Sequence, residues 1–299
     1  AVIAQQQVAA AEVLLQHAAL VGATVAREGF EFGVLSREVA VGGQHLVLQG
    51  LRGIYGEVYL PLFGAYQASN AACALAAVEA FAGVSETATN GDGSTVTLGP
   101  GLSTEGLDPG LVRAGFARAS SPGRLDILRR SPTVIADAGH NPAGVSATVQ
   151  ALTESFNFDR IIGVVAVLAD KDVDGVLDEL EPVLSEVIVT TNSSPRAMPA
   201  DELAEVAAGI FGEDRVHVRR RLDDAIEAAV TLADEADASL ADGSGGGIGL
   251  GSVAVLVTGS VVTAGDAQLL LAPNSAVGTS SNAGYAGKWP TRSRQGDSR

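Results

Sequence analysis

The chain has 299 residues, enough for two domains with a sizeable core, and 46% of them are hydrophobic, so it is a globular chain. Its net charge of −16 leaves no basic face for nucleic acid and no polybasic patch for a membrane surface. The single cysteine, Cys73, rules out an internal disulfide, no Cys/His cluster has zinc spacing, and no apolar run reaches the roughly 18 residues that span a membrane.

The first residues, Ala1-Val2-Ile3-Ala4-Gln5-Gln6, lack the basic start of a signal peptide, and there is no initiator Met. A cytoplasmic location is expected, with sequence missing upstream. Val8 to Leu20 reads as a helix. From Thr24 to Pro61, Val/Leu/Tyr runs such as His45 to Leu48 and Glu57 to Leu60 alternate with Gly, and Leu51-Arg52-Gly53 turns the chain between two of them. These are hairpin strands. Asn70 to Phe81 is an Ala-rich helix ended by Gly83, with Cys73 read as a small buried residue. Residues 84–108, with Asn90-Gly91-Asp92-Gly93 at their centre, form a surface loop or a small hairpin. Asp108 caps a helix to about Ala119 with Pro109 at its first position. Ser120-Ser121-Pro122-Gly123 reads as an interdomain hinge.

Beyond Arg124 the pattern is regular. Strands are expected at Thr133–Ala136, Ile161–Val167, Val187–Thr190, Arg215–Val218 and Val253–Thr258. Helices are expected at Ala143–Phe156, Val173–Leu184, Pro199–Phe211, Leu222–Asp234 and Val261–Leu271. This alternation is that of a doubly wound, mostly parallel α/β sheet, whose ligands sit at the carboxyl ends of the strands. Residues 272–299 lack periodicity and read as a disordered tail.

The polar residues cluster at those strand ends. Asp137-Ala138-Gly139-His140-Asn141-Pro142 follows the first parallel strand and opens a helix. Asp137 there suits a ribose diol, His140 suits phosphate or a proton relay, and backbone N–H groups in the turn favour an anion. The plainer alternative makes Asn141 a helix cap and Asp137 and His140 ordinary loop residues. Arg124, at the hinge, suits a phosphate held between domains, or is an exposed linker charge. Gln67 and Asn70 offer amides near a helix start, fit for an adenine edge, while Ser69 or Asn70 as a plain cap is the alternative. Asp170-Lys171-Asp172 follows the second parallel strand, Ser194-Pro195-Arg196 the third and Thr258-Gly259-Ser260 the fifth. Lys171 suits a carboxylate substrate, or forms solvated pairs with its two Asp neighbours. The glycine-rich run Gly243 to Gly251 precedes a strand and no Lys closes it, so it is not a phosphate loop.

In their order along the chain, Tyr66-Gln67-Ala68-Ser69-Asn70, Pro122-Gly123-Arg124, Asp137 to Pro142, Asp170-Lys171-Asp172 and Thr258-Gly259-Ser260 resemble the Mur ligase superfamily, and within it the folylpolyglutamate synthase/dihydrofolate synthase branch. The likeness runs from Ala1 to about Leu271 and looks closest to actinobacterial members. It implies that residues 1–121 are the C-terminal part of the central ATPase domain, with a loop insertion at 84–108, and that residues 122–271 are the Rossmann-like C-terminal domain. It implies ATP-dependent ligation of L-glutamate to folate through an acyl phosphate, releasing ADP, by an enzyme monomeric when full length. Asn70, Arg124 and Asp137 would contact ATP with His140 beside it. Asp170, Lys171, Arg196 and Ser260 would serve the glutamate side. The Mg2+ ligands and the P-loop of the family are not found here, so the chain is expected to be a fragment inactive alone. Tyr66 stands where the family usually has His, and keeps a donor and an aromatic face for adenine. A non-catalytic nucleotide-binding module and a Mur-type ligase for another amino acid are the competing readings.

Overall fold

The structure, a computed structural model, describes residues 1–82, 86–89, 95–98, 106–241 and 253–271. The chain opens with a short parallel pair, β1 (Val2–Ile3) and β2 (Ala26–Arg27), joined through α1 (Val8–Leu20). α1 has the bounds expected from the sequence, but among its side chains Ala18 alone is buried, and Val8, Val13 and Leu20 stand exposed.

Next, β3 (Gly33–Ala40), β4 (Gly43–Gln49) and β5 (Ile54–Leu60) form an antiparallel sheet in that order. Their inward residues Leu46, Leu48, Tyr55, Val58 and Leu60 pack on α2 (Ala65–Ala82). α2 answers with Ala68, Ala71, Ala72, Leu75 and Ala76, three or four apart, so small side chains let the helix lie close to the sheet. Burying each Leu of this layer contributes about 1.5–3 kcal/mol. Cys73 is half-buried against the same cluster rather than fully buried.

α2 begins five residues before its expected start. Gly64, at φ +94, turns the chain just ahead of it, so Ser69 and Asn70 lie inside the helix instead of capping it. β6 (Glu86–Thr89) and β7 (Thr95–Leu98) pair antiparallel, the small-hairpin alternative for this stretch. α3 (Pro109–Phe116) starts as read, with the Asp108 carboxylate accepting from the Leu111 N–H at 2.8 Å.

The second half is a six-stranded sheet flanked by helices on both faces. Its strands are β8 (Asp126–Arg130), β9 (Thr133–Ala136), β10 (Arg160–Val165), β11 (Glu186–Val189), β12 (Val216–Val218) and β13 (Val253–Thr258), in the order β12-β11-β10-β13-β9-β8. The five strands expected from the sequence are all present and mutually parallel. β8 was not anticipated. It pairs antiparallel at the edge, a bulge between Ile127 and Arg129 breaks its alternation, and its last residues are exposed arginines.

α4 (Pro142–Ser155), α5 (Val173–Leu180) and α6 (Ala200–Phe211) cover one face, and α7 (Leu222–Ala241) packs on the other beside α8 (Val261–Leu271). Alternate residues of the central strands feed the two cores: Val165 and Val189 one, Val164 and Ile188 the other. α5 stops four residues short of expectation because Pro182 cannot continue it. The glycine-rich run at 243–251, Asn90 to Gly93 and the tail at 272–299 lie outside the described residues.

Candidate functional site

The turn from β9 into α4 is built around Asp137. Its N–H donates to the Val257 carbonyl at 2.9 Å, extending the parallel ladder by one residue. Its side chain then sits at the sheet's carboxyl edge, fully buried. The carboxylate accepts three hydrogen bonds: from the Gly139 N–H at 2.8 Å, the Thr148 hydroxyl at 2.7 Å and the Leu125 N–H at 3.0 Å. A buried charge needs such partners. Thus Asp137 ties the hinge segment, the strand end and α4 together, and in this arrangement protein donors occupy both its oxygens.

The two glycines of the site serve close approach. Gly139 lies so near Asp137 and Val145 that a Cβ would meet each at 3.1 Å. Gly123 has φ +72, and its carbonyl accepts from the Ala138 N–H at 2.8 Å, which clamps the Pro122-Gly123-Arg124 turn onto the Asp137 turn. Asn141 does cap α4, its side chain accepting from the Gly144 N–H at 2.8 Å, with Pro142 at the first helical position. Two N–H groups of this turn, those of Gly139 and Gly144, are therefore used internally. The half-buried His140 places Nδ1 3.0 Å from the Ala138 carbonyl. When that nitrogen carries the proton, Nε2 is left as an acceptor.

α2 brings Tyr66 to the same place from the first half of the chain. Tyr66 is half-buried and its ring packs against the core formed by α4 and α5. Its phenol pKa is pushed up to about 12, first by burial and then by the negative charge of Asp137, with Arg124 opposing. Tyr66, Asp137 and Arg124 thus share one electrostatic environment, and the phenol is a neutral donor at ordinary pH. Gln67 is buried and accepts from the Asn70 amide at 3.2 Å, and Asn70 is exposed. Arg124 is half-buried and makes no ion pair among the described residues. A half-buried cation without a carboxylate partner could hold an anionic ligand.

The residues anticipated on the glutamate side are dispersed among different tasks. Asp170 and Arg196 pair with each other at 3.1 Å on the surface. Asp172 caps α5 through the Gly175 N–H at 3.0 Å. Lys171 is paired with neither neighbour, and makes no ion pair among the described residues. Ser260 is 1% exposed; its hydroxyl accepts from the Asn192 amide at 3.1 Å and the Thr263 N–H at 3.0 Å, and lies 2.8 Å from the Thr263 hydroxyl. It caps α8 from inside.

Thr148 and Asn192 escaped sequence reasoning as site residues, whereas Thr258 was named with Gly259 and Ser260 at the end of the fifth parallel strand. Thr258 follows Val257, which pairs with Ala136, so Thr258 and Asp137 end adjacent strands side by side. Its hydroxyl, and that of Thr190, are buried without a hydrogen-bond partner among the described residues. Their position after a Val-rich run was the available signal. No pattern in the sequence marks Thr148, because it acts one helical stretch away from the motif it supports.

Residues 123–245 match the family model described as Mur ligase, glutamate ligase domain. A dihydrofolate synthase/folylpolyglutamate synthase of Mycobacterium tuberculosis is 48% identical over 270 residues, 90% of this chain and 51% of that relative. A folylpolyglutamate synthase of Lacticaseibacillus casei is 28% identical, over 61% of this chain and 40% of that relative. A solved structure of M. tuberculosis folylpolyglutamate synthase complexed with ADP superposes with a TM-score of 0.79 at 46% identity, covering 91% of this chain and 55% of that one. The chain spans about half the length or less of these relatives.

Proposed function

We propose that this chain, which through residues 123–245 belongs to the Mur ligase family, serves ATP-dependent ligation of L-glutamate to folate. The observation that carries the reading is that Tyr66, on α2 beside Gln67 and Asn70, packs on the core under α4 within the electrostatic reach of Arg124 and Asp137 at the carboxyl edge of the parallel sheet. That is where open α/β sheets bind ligands. A relative at 46% identity was solved with ADP, which supports a nucleotide here.

A carboxylate is a poor electrophile at neutral pH. In the proposed reaction a folate carboxylate oxygen attacks the γ-phosphorus of ATP, giving an acyl phosphate and ADP. The glutamate amine then attacks the acyl carbon, forming the amide and releasing phosphate. Arg124 opposes charge on the phosphates. Gln67, Asn70 and the Tyr66 ring face the base. Asp137 holds the hinge and α4 in register and lends its negative charge to the ribose side, and His140 stands beside the phosphates. Lys171 is the cation left for the glutamate carboxylates. Among the described residues no group of three or more His, Cys, Asp and Glu side chains could hold a metal ion.

Calorimetric titration of ADP into this chain, wild type and Arg124→Ala, tests the nucleotide site; at least a tenfold loss is expected. Incorporation of labelled L-glutamate into folate by the full gene product tests the ligation. Wild type without ADP affinity at millimolar concentration, or incorporation that does not need ATP, would sink the reading.

A further inference from the structure

We propose that Arg37 and Glu154 are positioning residues, whose ion pair sets the spacing between α2 and α4 and so assembles the two sides of the nucleotide site. This rests on the reading above. The two residues lie 117 positions apart, on β3 and in the last turn of α4, with an Arg37 Nη2 to Glu154 Oε2 distance of 2.7 Å. Among the described residues neither forms a hydrogen bond or ion pair with the proposed nucleotide residues.

A line of side-chain hydrogen bonds runs from this pair to both sides of the site. Arg37 Nε donates to Gln44 Oε1 at 2.7 Å. Gln44 is buried, and its amide donates to the carbonyls of Leu62 at 2.8 Å and Gly64 at 3.1 Å. Gly64 immediately precedes α2, which carries Tyr66, Gln67 and Asn70. On the other side, Glu154 Oε1 accepts from the Gln150 amide at 2.9 Å, one turn back along α4. α4 begins at Pro142, directly after His140 and Asn141. The pair therefore links the segment that aims α2 to the helix that issues from the Asp137 turn.

The junction around it is close-fitted. A Cβ at Gly64 would lie 2.6 Å from the Ala151 Cβ, so α4 touches the backbone that opens α2. Phe63 and Phe156 pack with ring centroids 4.8 Å apart, and Phe156 stacks on Phe158 at 5.4 Å. These apolar contacts hold the parts together without fixing their angle. A directed ion pair, with each partner already held by an amide, fixes it. Ordinary surface pairs are too mobile for this. This pair lies at the surface, with Glu154 an exposed residue, but the two side chains are 21% and 31% exposed and each is held by an amide, that of Gln44 or Gln150.

The test uses Arg37→Gln, Glu154→Gln, the double variant and the swap Arg37→Glu/Glu154→Arg. Each carries spin labels at Val41→Cys and Glu213→Cys on a Cys73→Ser background. Both single variants are expected to broaden the label-to-label distance distribution and to weaken ADP binding five- to tenfold. The double variant should lose no more than either single one, and the swap should recover at least half of the loss. Unchanged distances, additive losses in the double variant, or a swap worse than the double would overturn the proposal. Wild type that fails to bind ADP would sink the nucleotide reading instead, and the distance distributions would then decide the role of the pair.

Discussion

The Asp137 carboxylate accepts a hydrogen bond at 3.0 Å from the N–H of Leu125, a non-glycine residue held at φ 45. Left-handed backbone is costly for a branched side chain. Leu125 is also 1% exposed, so its side chain anchors the turn in the core while its N–H is fixed by a buried charge. Arg124 is the neighbouring residue. Its place in the chain turn thus follows from Asp137, thirteen residues further on.

Asp137→Asn should show this as stability as well as binding. An amide presents a donor where the carboxylate met three donors, so a repulsive contact replaces a charge-assisted bond. The expected loss is about 3 kcal/mol, by comparison with about 1 kcal/mol for Thr148→Val, which removes a single partner. Urea unfolding of both variants checks it; an Asp137→Asn loss no larger than that of Thr148→Val would count against the anchoring role.

Tyr66 keeps its proton at all ordinary pH values, so the nucleotide affinity of wild type should be flat between about pH 6 and pH 9 as far as this residue is concerned. Tyr66→Phe keeps the ring and should bind ADP within about threefold of wild type. Tyr66→His puts a group with an ordinary pKa of about 6.5 beside Arg124 and Asp137, and should make ADP affinity vary across neutral pH. Titrations of the three proteins at several pH values decide it, and a pH-independent His variant would remove Tyr66 from the site.

The same phenol predicts an alkaline limb to stability. Its folded pKa of about 12 lies above its ordinary value of 10.0. The unfolded chain therefore loses this proton first as pH rises, so the stabilisation is fully present below about pH 10 and is lost towards pH 12. Tyr55, also shifted upward, contributes in the same sense and remains in both proteins. Tyr66→Phe should accordingly lose less stability than wild type between pH 9 and pH 11.5, read from denaturant midpoints.

Much of this was legible in the residues. The parallel strands of the second half announce themselves as Val/Ile runs because both faces are buried, and the motifs at their ends fall on one edge by topology. Three features were not. β8 is an edge strand with a bulge and exposed arginines, so it carries no alternation. The start of α2 depends on a single glycine conformation. The fate of each strand-end polar side chain depends on neighbours distant in sequence: Asp170 meets Arg196, and Ser260 meets Asn192, at separations of 26 and 68 residues. Spacing along a chain cannot tell a capping hydroxyl from one that faces a ligand.

Lys171 and Ser260 show that distinction in testable form. Both follow strands of the parallel sheet and both suit a glutamate carboxylate by type. The Ser260 hydroxyl is enclosed by Asn192 and Thr263, whereas Lys171 is half-buried with no carboxylate partner among the described residues. Ser260→Ala should therefore act mainly on stability, by about 1 kcal/mol as for a lost helix cap, with KM for L-glutamate changed less than threefold. Lys171→Ala should leave the midpoint of unfolding almost unmoved, because a half-exposed Lys adds little to packing. It should raise KM for L-glutamate at least tenfold in the full gene product, with KM for ATP little changed, since in the proposed site that charge serves one substrate. If the two substitutions exchange these signatures, the glutamate carboxylate is held on the α8 side of the sheet edge, and α8 with its buried cap must open to admit it.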